Sequence, residues 1–418
     1  MPGEVIRATY TIETPADLEA AAETLAGEQS TGTFVRVPGE TEDLRARHAA
    51  HVESIERLGE SDSPGLPYSR PPRDGARGYR RGRAVVAFPL ENVGPSLPNL
   101  LATVAGNLFE LREFSGLRLE DIELPAAFAA RYPGPRFGID GTRRLAGVAG
   151  RPIIGTIVKP SVGLSPDQTA TLVGSLVTAG LDFIKDDELM ADPPHSPFEA
   201  RVAAVMQVIH ERADATGRQA MYAFNVTGDL DLMLRHAETV REAGGTCVMV
   251  SVNSAGLPAV TELSRRCGLP IHGHRNGWGA LTRCPHLGFG FRAYQKLWRL
   301  AGVDHLHTNG LRNKFWEPDE SVIDSARACL APMFGGYRIM PVLSSAQWAG
   351  QAPDTYRALG TTDLMYLCGG GILAHPAGPA AGVLSVRQGW EAALGGGSLE
   401  EYARTHPELR QAIEKFGG

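Results

Sequence analysis

The stretch GLDFIKDDE, residues 180–188, places one lysine among carboxylates at the end of a short apolar run. If Phe183–Asp187 forms a strand, side chains alternate between its two faces, so Lys185 and Asp187 point the same way. A lysine that carries CO2 as a carbamate is an anionic oxygen ligand. With Asp187 and Glu188 it would complete an oxygen-only site suited to Mg2+. The alternative interpretation is a solvated cluster of charges at a strand end.

Around this stretch, apolar runs alternate with helical segments from about Arg151 onward. Ser165, Ser196 and Asp229 each indicate a helix start, because each offers an N-cap side chain, and Gly180 indicates a helix end. Eight such strand–helix units in about 260 residues match the size of a TIM (β/α)8 barrel, whose chemistry gathers at the C-terminal strand ends. The eight candidate strands are Ile153–Val158, Phe183–Asp187, Met221–Val226, Thr246–Val252, Pro270–His274, His305–Thr308, Ile339–Leu343 and Leu364–Leu367.

The earlier part of the chain has a different pattern. We therefore predict an α/β protein with two domains: an N-terminal α+β, ferredoxin-like domain over residues 1–140 and the TIM barrel over residues 141–418. Gly59–Arg83 is rich in Gly, Pro, Ser and Arg and is predicted to be a long loop. The other elements predicted there are strands at Arg7–Ile12, Thr33–Val37 and Ala84–Phe88 and a helix at Pro15–Ala26.

Bulk properties exclude several classes of protein. The 418 residues carry a formal net charge of −6, which argues against a general nucleic-acid binder. The five cysteines form no CxxC pair, so neither a zinc site nor a disulfide framework is expected, and a cytoplasmic location fits. No apolar run has the length of a signal core or a membrane span, so no membrane contact is expected.

Further chemistry-bearing residues follow the predicted strands. Lys159 precedes a proline after the first strand, and His274-Arg275 follows the fifth. A lysine at such a strand end faces a ligand or, alternatively, extends into solvent. The glycines at 369–371 follow the eighth strand, where backbone amides leading into a helix can bind a phosphate.

These motifs, in this order, resemble those of the ribulose-bisphosphate carboxylase (RuBisCO) large chain and of the form IV RuBisCO-like proteins. The resemblance implies that Lys185 is carbamylated by CO2 and holds Mg2+ together with Asp187 and Glu188. It assigns catalytic roles to Lys185, to Lys159 as a proton-transfer lysine, to His274 beside the metal, and to Lys314 in a mobile sixth loop. The substrate and phosphate contacts that it implies in the barrel are Arg275, His307, Ser344, Gly369 and Gly370.

The resemblance extends to the first domain. It implies that Glu28 meets the loop-six lysine, that Thr33 meets phosphate, and that Asn107 lies near substrate and metal. In the family these residues reach the active site of a partner subunit. A homodimer, or a larger oligomer of dimers, is therefore expected, and no small subunit.

Three departures from the carboxylases favour a RuBisCO-like protein. Ser161 replaces a second lysine, Ile157 replaces a threonine, and Ser345-Ala346 replaces a glycine pair. Lys314 favours a reaction that handles a carboxylate, because its ammonium would stabilise one that forms or leaves.

We therefore expect an enzyme, a carbon–carbon lyase, that forms an enediolate from a phosphorylated keto sugar acid. The nearest group acts on 3-oxo-isoapionate 4-phosphate, by decarboxylation or by transcarboxylation and hydrolysis. The alternatives are an enolase or isomerase of a methylthio-ribulose or diketo-methylthiopentyl phosphate, a ribulose-bisphosphate carboxylase, and a non-catalytic binding protein.

Overall fold

The computed structural model describes residues 4–32, 37–72 and 78–417. The chain divides into two compact units, one of Met1–Tyr132 with Gly277–Leu300 and one of Pro133–Asn276 with Ala301–Gly418. The predicted boundary at residue 140 stays a prediction. Gly277–Leu300, which lies inside the predicted barrel range, packs with the first unit.

The described residues form strands and helices throughout both units. The strands are β1 (Val5–Thr14), β2 (His51–Ser61), β3 (Tyr79–Pro89), β4 (Gly116–Glu123), β5 (Ile153–Ile157), β6 (Phe183–Lys185), β7 (Met221–Asn225), β8 (Cys247–Ser251), β9 (Ile271–His274), β10 (Leu287–Phe289), β11 (His305–His307), β12 (Met340–Leu343) and β13 (Met365–Leu367). The α-helices are α1 (Leu18–Glu28), α2 (Glu42–His48), α3 (Leu90–Val93), α4 (Leu97–Ala105), α5 (Ala127–Arg131), α6 (Gly138–Ala146), α7 (Pro166–Thr178), α8 (Phe198–Thr216), α9 (Leu230–Glu242), α10 (Val252–Ala255), α11 (Leu257–Arg266), α12 (Trp278–Thr282), α13 (Phe291–Ala301), α14 (Asp319–Leu330), α15 (Ala352–Leu359), α16 (Gly370–Leu373), α17 (Pro379–Gly395), α18 (Leu399–Ala403) and α19 (Pro407–Phe416). Short 3-10 turns lie at Asn107–Glu110 and Ala349–Gln351.

The first unit is built on a five-stranded sheet with the order β10-β4-β1-β3-β2. β1 is central, and its alternate residues are buried because one face of the strand packs on the core. Its neighbours β3 and β4 are antiparallel to it, whereas β10 pairs with β4 in parallel. This sheet confirms the predicted α+β character of the first domain.

The predicted strand Arg7–Ile12 and helix Pro15–Ala26 correspond to β1 and α1, and Asp17 caps α1 by accepting from the amides of Glu19 and Ala20. Of the strand predicted at Thr33–Val37, residues 33–36 lie outside the described residues, and Val37 is not part of a strand.

The loop predicted at Gly59–Arg83 is wrong at both ends, because β2 runs to Ser61 and β3 begins at Tyr79. These strand ends hold few apolar side chains, but opposite charges face each other across them. Arg83 Nη1 lies 2.5 Å from Glu56 Oε2, and Arg80 is in register with Glu60. Backbone pairing and cross-strand charge pairs therefore extend a hairpin that has little to bury.

The second unit contains a closed barrel of eight strands, in the order β11-β12-β13-β5-β6-β7-β8-β9. Every neighbouring pair is parallel. Each of the eight predicted strands overlaps one of these, and the largest difference is at β6, which ends at Lys185 rather than Asp187. The predicted TIM barrel is confirmed.

Helix boundaries in the barrel follow the local sequence signals. Ser165 forms a capping box with Gln168 at the start of α7, and Gly180 adopts φ +81° two residues beyond its end. The start predicted from Ser196 is wrong by one residue, because Pro197 occupies the N-cap position and no side chain caps α8. Within the described residues, no helix is long and apolar enough to cross a membrane.

Candidate active site

The charged residues at the end of β6 and just after it, Lys185–Glu188, have two roles: three of them lie in the candidate site and one supports the fold. Lys185 is buried, and its Nζ lies 3.5 Å from Glu188 Oε2 and donates to the carbonyl of Asp186 at 2.9 Å. Asp187 is also buried and pairs through Oδ2 with Lys159 Nζ at 2.6 Å. The structure thus brings together four of the predicted residues: Lys159, Lys185, Asp187 and Glu188.

The third acid, Asp186, belongs to the scaffold. It accepts hydrogen bonds from Tyr222 Oη at 2.6 Å, from the backbone N–H of Asn225 at 2.9 Å and from Arg201 Nε at 3.3 Å. Arg201 is itself fully buried. Neighbouring acids in the sequence therefore have opposite roles, because adjacent side chains at a strand end point in different directions.

Lys159 has a second partner, Ser161, which is one of the three departures from the carboxylases. Ser161 Oγ accepts a hydrogen bond from Lys159 Nζ at 2.7 Å. The serine therefore holds the lysine at the barrel mouth together with Asp187. The Lys159 side chain remains 44% exposed, so its ammonium is accessible to a ligand.

Electrostatics set the charge states in this cluster. Burial lowers the pKa of Lys185, although Glu188, Asp187 and Asp186 oppose that effect. Burial alone would raise the pKa of Glu188, but Lys185 and His274 hold it at about 2. Burial and Lys185 lower the pKa of His274 to about 4. Glu188 is thus ionised and His274 neutral near pH 7.

His274 lies at the end of β9 and faces the acids. The amide of Asn276 donates to its Nδ1 at 3.2 Å, so the ring hydrogen of the neutral imidazole lies on Nε2. That Nε2 is 3.6 Å from Glu188 Oε2. His274 therefore presents a donor on the same side as the candidate metal ligands.

The donor set fits a divalent metal only if Lys185 is modified. Among the described residues, no group of three or more His, Cys, Asp or Glu side chains is arranged to hold a metal ion. Unmodified, the two lysines balance Asp187 and Glu188. A carbamate on Lys185 would reverse that charge and add oxygen ligands, leaving an excess of two negative charges that one Mg2+ would neutralise.

Other predicted residues lie on neighbouring strand ends. His307 Nδ1 lies 3.0 Å from Ser344 Oγ. Arg275 Nη2 donates to Glu317 Oε2 at 2.7 Å, and both side chains are buried. Sequence reasoning missed Glu317, because no pattern links it to a residue 42 positions away.

The three glycines after β13 differ in what surrounds them. A Cβ on Gly370 would meet no atom within 4 Å, and one on Gly369 would meet only Ile157 Cδ1 at 3.8 Å. A Cβ on Gly371 would collide with the backbone of Gln347 and Trp348. The first two glycines therefore leave backbone accessible to a ligand, whereas the third is required for packing.

The remaining predicted residues lie farther from this cluster in the chain. Lys314 is exposed in the segment between β11 and α14, and its Nζ lies 5.3 Å from the centroid of the Phe315 ring. Glu28 is the exposed last residue of α1, and Asn107 begins a 3-10 turn, both in the first unit. Thr33 lies outside the described residues.

Comparisons with known proteins agree with this fold. Residues 138–416 match the ribulose bisphosphate carboxylase large chain catalytic domain, and residues 4–128 match the N-terminal domain of the same protein. The chain therefore belongs to the RuBisCO large-chain family, in which magnesium and a carbamylated lysine are typical.

Two relatives are similar over almost their whole length. The chain is 53% identical over 414 residues to a 3-oxo-isoapionate-4-phosphate transcarboxylase/hydrolase of Xanthobacter autotrophicus, covering 98% of this chain and 99% of the relative. It is 50% identical over 414 residues to a 3-oxo-isoapionate-4-phosphate decarboxylase of Rhizobium rhizogenes, covering 98% of each.

Solved structures show the same relationship. A rubisco-like protein from Burkholderia fungorum superposes with a TM-score of 0.92 at 48% identity, over 98% of this chain and 99% of that one. A dimeric archaeal Rubisco from Hyperthermus butylicus has a TM-score of 0.86 at 32% identity, over 100% and 97% of the two chains.

Proposed function

We propose that this protein acts on 3-oxo-isoapionate 4-phosphate, either decarboxylating it or splitting it by transcarboxylation and hydrolysis. One observation carries the proposal. This chain is about half identical to enzymes of both kinds, and its side chains Lys159, Lys185, Asp187 and Glu188 lie together at the mouth of the barrel. The two relatives share the substrate and differ in the reaction, so the shared chemistry is the better supported part.

The residues present fit that chemistry. Loss of CO2 from a β-keto acid breaks a carbon–carbon bond. The electron pair of that bond forms the C=C bond of an enolate, and the π pair of the adjacent carbonyl moves onto its oxygen. Lys159, held by Asp187 and Ser161, is positioned to return a proton to the carbon. The Nε2–H of neutral His274 would donate to a substrate oxygen as its charge develops.

Asp187, Glu188 and a carbamate on Lys185 would hold Mg2+. When bound, the ion supplies Lewis acidity toward a substrate carbonyl. Gly369 and Gly370 would bind the phosphate through backbone amides, since nothing fills the space beside them. Arg275, Ser344 and Lys314 would complete the substrate contacts.

We also propose a homodimer in which Glu28, Thr33 and Asn107 reach the partner's site, and a cytoplasmic location. Two related structures support an oligomer, because the Hyperthermus butylicus Rubisco is dimeric and the Pyrococcus horikoshii Rubisco is octameric. Light scattering of the purified protein would test the dimer, and a monomer would contradict it.

The activity is tested by incubating purified protein with 3-oxo-isoapionate 4-phosphate, Mg2+ and bicarbonate and following the products by NMR. CO2 with a four-carbon keto-sugar phosphate identifies a decarboxylase. Phosphoglycerate with glycolate identifies a transcarboxylase/hydrolase. An unchanged substrate would contradict the proposal. A matched incubation with the Lys185→Met variant controls for spontaneous decarboxylation, to which β-keto acids are prone.

A further inference from the structure

Five polar side chains form a continuous chain through the barrel interior, which we call the histidine chain: Thr142, His305, His272, His307 and Ser344. All five are buried. The neighbours of His272 and His305 in register include Met249 and Met340, so this polar path crosses a largely apolar layer. Buried polar atoms in such a layer must satisfy each other, because no alternative partner compensates for lost water.

The contacts run in one line from α6 to the barrel mouth. Thr142 Oγ1 lies 2.7 Å from His305 Nε2, and the Nδ1 atoms of His305 and His272 are 3.4 Å apart. His272 Nε2 lies 2.9 Å from His307 Nε2, and His307 Nδ1 lies 3.0 Å from Ser344 Oγ. The 3.4 Å contact is the weakest of the four.

The start of the line determines where the hydrogens lie. Thr142 Oγ1 is 2.5 Å from the carbonyl oxygen of Gly138, and two oxygens that close repel each other unless a hydrogen lies between them. The single hydroxyl hydrogen of Thr142 is therefore donated to Gly138. Thr142 Oγ1 can then only accept from His305, so the ring hydrogen of His305 is on Nε2.

The remaining hydrogens follow one by one. Neutral His305 with a hydrogen on Nε2 has a bare Nδ1, which accepts from Nδ1–H of His272. His272 then has a bare Nε2, which accepts from Nε2–H of His307. His307 is left with a bare Nδ1, which accepts the hydroxyl hydrogen of Ser344.

The neutral state of the three rings is consistent with their surroundings. Burial lowers the pKa of His305 to about 3 and the pKa of His272 and His307 well below its ordinary value. A neutral imidazole has one N–H and one bare nitrogen. A ring that accepts from one neighbour must therefore donate to the other, so the direction of the hydrogen bonds stays the same along the chain.

We propose that the Gly138 carbonyl, through the histidine chain, fixes Ser344 as a hydrogen-bond acceptor toward the substrate and leaves His307 without an N–H for a phosphate. The matching substrate group is a hydroxyl, which can donate to the remaining lone pair of Ser344 Oγ. Phosphate then binds elsewhere at the mouth, where the accessible backbone of Gly369 and Gly370 offers a place. This assignment replaces the phosphate contact that the family resemblance implies for His307. Its substrate half rests on the proposed function.

Neutron diffraction from crystals of the perdeuterated protein tests the polarity without a ligand. Deuterium is expected on Nε2 of His305, Nδ1 of His272 and Nε2 of His307, with the Ser344 deuteroxyl pointing at His307 Nδ1. Deuterium on His307 Nδ1 would overturn the inference, because the line would then run in the opposite direction. These positions can be read whatever the protein's substrate is, so failure of the proposed function is a separate outcome.

Two variants at Thr142 test the anchor. Thr142→Val removes the hydroxyl, so deuterium should appear on His307 Nδ1 in part of the molecules. The KM for 3-oxo-isoapionate 4-phosphate should rise about tenfold, as expected for one misdirected hydrogen bond. Thr142→Ser keeps the hydroxyl and should restore both the wild-type deuterium positions and the wild-type KM. A Thr142→Val protein with unchanged deuterium positions would contradict the role of Gly138.

Discussion

Strand β6 has a cluster of charges at each end, and the two clusters have opposite compositions. Just before its N-terminal end, one buried carboxylate, Asp182, is surrounded by Arg151, Arg218 and Arg387. At the C-terminal end, Lys185 and Lys159 share the space with Asp187 and Glu188. Only two residues, Phe183 and Ile184, separate a cluster rich in cations from one that could bind a cation.

The difference lies in how completely each acid is satisfied. Asp182 Oδ2 and Oδ1 lie 2.5 Å and 2.9 Å from the two terminal nitrogens of Arg151, and Oδ2 also accepts from the Ile154 amide at 3.0 Å. Both carboxylate oxygens of Asp182 already accept short hydrogen bonds from the protein, so a ligand would have to displace these donors. Glu188, by contrast, meets Lys185 Nζ and His274 Nε2 at the longer distances of 3.5 Å and 3.6 Å. In this barrel, as in others, the N-terminal end stabilises and the C-terminal end is available for chemistry.

The largest effect is expected at the C-terminal end. Lys185→Met keeps a long buried side chain but removes the amine that CO2 would modify. We expect turnover to fall about a thousandfold or more, equivalent to about 4 kcal/mol of lost transition-state stabilisation. Product formation measured by NMR checks this, and Lys415→Met, at an exposed lysine, should behave as the wild type. A loss of only a few fold would show that Lys185 is not the modified residue.

The next effect is expected at the N-terminal end, and on stability. Asp182→Asn leaves three arginines without their shared carboxylate and should lower the free energy of unfolding by about 3 kcal/mol. Urea denaturation measures this change. The turnover of the folded fraction should be almost unaffected, and a loss of turnover without a loss of stability would contradict the division between the two ends.

The same carboxylate predicts a dependence on acid. Burial alone would raise the pKa of Asp182, but its arginine partners and the Ile154 amide hold it below the ordinary value. A group with a lowered folded-state pKa stabilises above its unfolded pKa, about 3.9, and that contribution is lost as the pH falls through the folded value. As the pH falls from 5 to about 2, the free energy of unfolding of the wild type should therefore decrease more steeply than that of Asp182→Asn. Denaturation at a series of pH values measures both curves. Parallel curves would contradict this assignment.

A smaller effect is expected from the second partner of Lys159. Ser161→Ala removes the hydroxyl at 2.7 Å but leaves the ion pair with Asp187. We expect kcat/KM to fall about three- to tenfold, the equivalent of about 1 kcal/mol for one net hydrogen bond at a partly exposed site. Ser161→Thr retains a hydroxyl and serves as the matched control. An effect as large as that of Lys185→Met would mean that Ser161 takes part in the chemistry itself.

The smallest effect is expected at an exposed ion pair of the same unit. Glu238 and Arg241 lie 2.9 Å apart on α9, with side chains 60% and 52% exposed. Glu238→Gln should change the free energy of unfolding by less than about 0.5 kcal/mol, because water already solvates both charges. A change comparable to that of Asp182→Asn would show that burial does not account for the difference between ion pairs here.

The sequence predicted the barrel well because its signals are local. Apolar runs of strand length, the capping serine at Ser165 and the glycine at Gly180 each report on a few neighbouring residues. The same reasoning failed at β2 and β3, where the strands extend by pairing charged residues across a hairpin. It did separate Asp187 from Asp186 by strand alternation, but it could not identify the partners of the two acids, Lys159 for Asp187 and Arg201 and Tyr222 for Asp186.

The amino-acid sequence by itself determined the order of the barrel strands and which chemical groups follow each of them, because strand–helix alternation and strand-end residues are properties of short segments. Only the tertiary structure decided which of those groups meet. Glu317 beside Arg275, Asp187 beside Lys159 and the line from Thr142 to Ser344 depend on segments that are distant in the chain and adjacent in the barrel. Hydrogen-bond polarity and charge balance follow from these contacts. No local pattern contains them, because each depends on the distance between atoms that the closed barrel sets.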